Sequence, residues 1–200
     1  MSSAAHEPRR RLVVAITGAS GSILGVRLLE RLREFNVEIH LIISPWGART
    51  LEHETPYSVA EVRRLADVVH RPNDLGATIS SGSFRTEGMI IAPCSVKTLA
   101  AIASGYSEDL IARAADVVLK ERRRLVLVVR EAPLSEIHLQ NMLTLARMGA
   151  SIVPPVPAFY NRPKTLEEAI DHIVTRVMDQ VGLYSDVGPR WDGTVSGRHA

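Results

Sequence analysis

One cysteine, Cys94, stands among 200 residues, so no disulfide framework can form within the chain and a reducing, cytoplasmic setting is the simpler reading. Charge of one sign is also scarce. Lys and Arg number 24 against 22 Asp and Glu, a formal net charge of +2, which by itself points to no nucleic-acid partner. The basic run at residues 120–124 is local and lacks the interleaved aromatics on which bases stack. Long apolar runs are missing as well. Arg9-Arg10-Arg11 followed by Leu12-Val13-Val14-Ala15-Ile16 has the order of an export signal, but its apolar part stops at Thr17-Gly18 and is too short for one. No other stretch approaches membrane-spanning length, so a soluble protein with no membrane partner is expected. Nor does any group of His, Cys, Asp or Glu have metal-ligand spacing, and no metal is expected.

What is present is a core-forming composition, 46% apolar and 23% charged, ordinary for one sizeable domain. Short β-branched runs alternate with segments of helical period, the pattern of a parallel sheet covered by helices. Strands are predicted at residues 12–17, 38–43, 89–92, 125–129 and 151–153, and the stretch 59–71 reads as a helix and a short strand. Further helices are predicted across the apolar stripe Leu24, Leu28, Leu32 and Phe35, over 45–54, from Val96, and over 109–122, 135–148 and 166–181. Residues 72–84, rich in Gly, Ser, Asn and Asp, read as a loop. The expected fold is α/β, a Rossmann-like doubly wound parallel sheet in a single domain at 11–182. A disordered segment at 1–10 is expected before it and a tail at 183–200 after it. No internal repeat is visible.

In such sheets ligands bind beyond the C-terminal strand ends, and there the least core-like residues gather. Gly18-Ala19-Ser20-Gly21 follows the first strand, Ser44 the second, Pro93-Cys94-Ser95-Val96-Lys97-Thr98 the strand ending at Ala92, and Arg130-Glu131 the strand ending at Val129. Small residues let a backbone approach a phosphate, and a helix N-terminus supplies amides and a positive dipole end. The same residues also fit a tight turn with Ser20 as a helix cap, and Ser95 fits an N-cap. The G-x-G-x-x-G spacing is absent, and Ser44 stands where a dinucleotide site carries an acid, which favours a mononucleotide. Arg130 offers a two-pronged grip on phosphate or carboxylate. Glu131 either carries protons or holds Arg130 in place. Arg113 and Lys120, seven apart, share one helix face, and Tyr160 follows the rigid Pro154, Pro155 and Pro157. Cys94 reads as structural, and His138 as a helix-surface or core residue.

Several longer motifs in order resemble the UbiX-type flavin prenyltransferases. They are Gly18-Ala19-Ser20-Gly21, Pro93-Cys94-Ser95-Val96-Lys97-Thr98-Leu99-Ala100, Arg113-Ala114-Ala115-Asp116 and its continuation to Arg123, Arg130-Glu131-Ala132-Pro133-Leu134, Ile137-His138-Leu139-Gln140-Asn141-Met142, and Pro157-Ala158-Phe159-Tyr160. The resemblance covers about residues 11–182. It implies transfer of a dimethylallyl group from dimethylallyl monophosphate to N5 and C6 of reduced FMN, closing a fourth ring and releasing phosphate. It implies further a product used by UbiD-type decarboxylases, and a homo-oligomer, usually a dodecamer, with sites shared between subunits. By position, Gly18, Ala19, Ser20, Ser44, Ser95, Val96, Lys97, Thr98 and Arg130 would hold FMN. Arg113, Tyr160 and Arg176 would hold the prenyl phosphate, Glu54, Lys120 and Glu131 would serve the chemistry, and Trp191 would cover the site. Pro45-Trp46-Gly47 departs from the family's usual residues after Ser44. Two rivals remain: an FMN carrier for a decarboxylase, which needs no prenyl-phosphate grip, and an FMN-dependent cysteine decarboxylase, whose signature at Cys94-Ser95 differs.

Overall fold

The computed structural model describes residues 9–185, 188, 190, 191 and 193. Six parallel strands lie side by side in the order β3-β2-β1-β4-β5-β6: β1 (Arg10–Ile16), β2 (Val37–Ile43), β3 (Val68–His70), β4 (Gly88–Cys94), β5 (Arg124–Val129) and β6 (Ser151–Ile152). The central strands read as unbroken apolar runs because helices cover both of their faces. Helices α1 (Ser22–Leu32), α2 (Pro45–Glu54), α3 (Val59–Arg63) and α7 (Leu166–Asp179) bury one core, in which Leu28, Leu29 and Leu41 are wholly enclosed. On the opposite face α4 (Val96–Ala103), α5 (Leu110–Lys120) and α6 (Glu136–Arg147) bury a second core around Met89, Ile91 and Leu127. This is the doubly wound sheet expected.

Differences from the sequence reading have local causes. The stripe from Leu24 runs past the helix: α1 ends at Leu32, and Phe35, in the following turn, still packs on the core. β4 continues two residues beyond Ala92 through Pro93. Proline cannot donate to a ladder, and the β4–β5 register shifts there, between Ile91 and Cys94. Arg10, expected in a disordered segment, opens β1. Residues 1–8 of that segment and most of the 183–200 tail lie outside the described residues. Among the described residues no helix is long and apolar enough to cross a membrane, and no group of three or more His, Cys, Asp or Glu is placed to hold a metal ion.

Candidate active site

The chain reverses its winding between β1 and β4, the point at which open α/β sheets leave a crevice. A cleft of about 830 Å³ opens there, bounded by residues 18–20, 44–46, 95–98 and 130–131. Its base is latched by Thr17, which is 1% exposed. The Thr17 hydroxyl donates to the Pro93 carbonyl at 2.8 Å and accepts from the Ser95 amide at 2.8 Å, tying the end of β1 to the turn after β4. Sequence reading took Thr17 as the last strand residue. Its one signal was a hydroxyl closing an apolar run.

Two glycines shape the first turn. A Cβ on Gly18 would lie 2.5 Å from the Cβ of Trp46, so the residue is small because α2 packs onto it. Gly21 has φ 95, a left-handed conformation that glycine adopts without steric cost. Gly21 caps α1 with no side chain, and Glu54 at the end of α2 supplies the missing acceptor. Its Oε2 takes the Gly21 amide at 2.8 Å and the Ser22 amide at 3.1 Å. The expected arrangement, amides at the start of α1 free for a phosphate, is therefore corrected at Gly21 and Ser22: a carboxylate of the chain already occupies those two. Partial burial pushes the Glu54 carboxyl up, but the Ser20 hydroxyl, those two amides and the Arg130 charge outweigh it and hold the group below its ordinary value. Glu54 is ionised at neutral pH.

Ser44 and Ser95 do cap helices. Ser44 Oγ accepts from the Gly47 amide at 2.9 Å, and Ser95 Oγ accepts from the Thr98 amide at 3.3 Å while lying 3.1 Å from the Thr98 hydroxyl. Capping uses an oxygen lone pair and leaves the hydroxyl proton for another partner, so the cap reading and the ligand reading are compatible. The α2 and α4 N-termini both face the cleft and bring partial positive charge to it. Arg130 and Glu131 line the cleft but form no ion pair with each other, contrary to the expected pairing. Glu131 instead accepts from the Ala132 amide at 3.0 Å.

Four expected residues are not brought to this cleft within one chain. α5 descends from the cleft side toward the opposite sheet edge, where β5 begins, so Lys120 ends far from Arg130 and bonds Glu121 at 2.7 Å. Arg113 donates to the Ser80 carbonyl at 3.2 Å and pairs with Asp116. Arg176 belongs to α7 and bonds Asp179 at 2.6 Å, while Tyr160 lies against α7 at His172, with Trp191 edge-on to Tyr160. Conversely, sequence reading missed Tyr106, Glu108, Asp109 and Asn141, which also line the cleft, as does Trp46 of the divergent Pro45-Trp46-Gly47 segment. Trp46 is held under the Arg49 guanidinium, 4.9 Å from its ring centre. Cys94 is buried, its thiol pushed up to about 12 by that burial, and is no nucleophile. His138 fills the acid's place in a reciprocal capping box with Ser135.

The family model described as Flavoprotein matches residues 1–182. A probable UbiX-like flavin prenyltransferase from Streptomyces sp. (strain D7) is 63% identical over 191 residues, covering 95% of this chain and 96% of the relative. The chain belongs to the UbiX-like flavin prenyltransferases of the flavoprotein family. Among solved UbiX-like structures, that of AnUbiX in complex with FMN and dimethylallyl pyrophosphate superposes with a TM-score of 0.93 at 56% identity, covering 94% of this chain and 100% of that one. The dodecameric FMN-dependent UbiX-like decarboxylase from Escherichia coli O157:H7 superposes at 0.90 with 59% identity, covering 92% and 100%.

Proposed function

We propose that this UbiX-like protein transfers a dimethylallyl group from dimethylallyl monophosphate to reduced FMN. The donor's C–O bond breaks with its electron pair leaving on phosphate as that carbon bonds to flavin N5, which loses its proton. The prenyl alkene then takes up a proton, and its tertiary carbon bonds to C6, which gives up its own proton as the fourth ring closes. The observation that carries this reading is the cleft at the β1/β4 switch point, where small, hydroxylic and cationic residues meet in about 830 Å³, a size suited to a small-molecule site.

Gly18, Ala19, Ser20, Ser44, Ser95, Val96, Lys97, Thr98 and Arg130 would hold FMN. With the Gly21 and Ser22 amides committed to Glu54, anion binding falls to the hydroxyls, the first amides of α4, Lys97 and Arg130. Reduced flavin supplies the electron-rich centre that is alkylated. The chain's own task is to stabilise charge on the departing phosphate, which guanidinium and ammonium groups do well in a site shielded from water. Glu54, already ionised, is suited to accept a proton rather than give one. Glu131 faces the same cleft and is the second acid of the reaction.

Lys120, Arg113, Tyr160 and Arg176 would serve the cleft of a neighbouring subunit in a homo-oligomer. This reading is supported by their position away from their own cleft and by the dodecameric relative. The product would pass to a UbiD-type decarboxylase in the cytoplasm. Anaerobic incubation of the protein with reduced FMN and dimethylallyl monophosphate, followed by mass spectrometry of the released flavin, tests the proposal. A flavin heavier by one prenyl unit is expected. Unmodified FMN with both the monophosphate and the pyrophosphate would refute it.

A further inference from the structure

At the base of the cleft a buried hydroxyl takes the place of a backbone carbonyl. β1 and β4 run in register up to Ala15 and Ile91, and β4 then reaches Pro93, which has no N–H to give. The Thr17 amide still donates to the Pro93 carbonyl at 3.2 Å. In a parallel ladder that continued, the next bond would run from the Ser95 amide to the Thr17 carbonyl. The Ser95 amide instead donates to the Thr17 hydroxyl at 2.8 Å. The Thr17 carbonyl, released from the ladder, accepts from the Ala19 amide at 2.9 Å, the two-residue bond of a γ-turn.

This exchange lets the two strands diverge while the Ser95 amide keeps a partner. The chain leaving β1 turns at once through Gly18-Ala19, and the chain leaving β4 runs on into α4, yet both stay tied to one oxygen. That oxygen also donates to the Pro93 carbonyl at 2.8 Å, so a single hydroxyl gives one bond and takes another. The β-branched side chain is stiff at χ1, which fixes where the oxygen stands. The connection continues outward from there. Ser95 caps α4 through the Thr98 amide, and the Cys94 carbonyl takes the Arg130 amide at 3.1 Å.

We infer that Thr17 is a positioning residue for FMN: its hydroxyl, standing in for its own carbonyl at the end of the β1–β4 ladder, sets the spacing between the cleft walls at residues 18–20 and 95–98. Thr17 is buried behind the residues that line the cleft, so it acts through those walls and not by touching the flavin. This rests on the reading of the two segments, with Arg130, as the groups that hold FMN.

The test uses the full chain titrated with FMN well below its melting temperature, followed by the change in flavin absorbance on binding. Thr17→Val keeps the branched shape of the side chain but loses the hydroxyl. It is expected to bind FMN on the order of tenfold more weakly, as for the loss of a good hydrogen bond. Thr17→Ser, which restores the hydroxyl, should recover most of that affinity. Val62→Ala, a core truncation in α3, is the stability control and should lower the melting temperature with FMN affinity kept. A purely structural hydroxyl would make Thr17→Val behave like this control, and that outcome overturns the proposal. So does a Thr17→Ser chain that binds FMN as weakly as Thr17→Val, or equal weakening in Val62→Ala, which would tie affinity to stability alone. If Thr17→Val does not fold, Thr17→Cys decides, since its thiol is only a weak donor and acceptor: weaker FMN binding supports the positioning role, and unchanged binding sinks it. Arg130→Ala separates the two levels. Unchanged FMN affinity there removes the underlying reading of the cleft, whereas a loss there beside an unaffected Thr17→Val removes only the role of Thr17.

Discussion

Trp46 and Gly18 show how one side chain sets the demands on another. Gly18 is not in a left-handed conformation, so alanine is excluded by contact with Trp46, chiefly its Cβ at 2.5 Å, with its backbone carbon next at 3.3 Å. Gly18→Ala is expected to cost about 1–3 kcal/mol, the usual penalty of overpacking, measured by urea unfolding. The clash is with Cβ, so Trp46→Ala should not relieve it, whereas Trp46→Gly should, giving a favourable coupling energy in a double-mutant cycle. Equal coupling for both partners would show that the indole ring, not its Cβ, is the obstacle. Glu54 carries a different lesson. Its bond to Gly21 spans 33 residues, and no local pattern marks an acid at the end of α2 as the cap of α1. The Gly18, Ser44 and Ser95 turns were legible because they interrupt apolar runs at strand ends; Glu54's true partners were not, because only the folded sheet brings α2 to α1.

At the scale of elements, β2 and β3 share a pair of imidazoles, His40 buried and His70 half-buried. His40, 3% exposed, lies 2.9 Å from His70 through its Nδ1 and 2.8 Å from Glu38 through its Nε2. Burial, then the neighbouring His40, holds His70 below its ordinary value of 6.5 against the opposing pull of Asp74. The unfolded chain therefore binds this proton more readily than the folded one. Stability from this source is complete above the unfolded value and is lost as pH falls below about 6.5. Urea midpoints at about pH 7.5 and about pH 5.5 should differ in that direction, and His70→Gln should flatten the difference. Some slope should remain, because burial and then Arg176 hold His172 down as well. An unchanged slope in the variant would place the titration elsewhere. Element order was readable for a simple reason: beyond their first residues, β1, β4 and β5 are covered on both faces and so are apolar. Ends were less readable where a special residue intervenes, as at Pro93, whose missing N–H coincides with the β4–β5 register shift. Helical spacing put Arg113 and Lys120 on one face of α5 but said nothing of which sheet edge the helix descends to.

The molecule as a whole leaves α6 thinly covered. Only Leu145 of this helix is buried, while Ile137, Leu139 and Leu143 are exposed, Ile137 by 70%. A surface of this kind is normally covered by another protein, and the proposed oligomer would supply one. Ile137→Lys is expected to yield smaller species in sedimentation velocity with FMN-site residues intact in sequence; an unaltered assembly would remove α6 from the interface. The topology that takes Lys120 to the sheet edge opposite Arg130 has a genetic consequence. An Arg130→Ala chain and a Lys120→Ala chain, each inactive alone, would complement one another when unfolded together and reassembled, because some clefts would then draw every essential group from an unaltered donor. Recovery of prenylation in the mixture, absent from either parent, would be the mark of an enzyme whose working unit is the junction between chains.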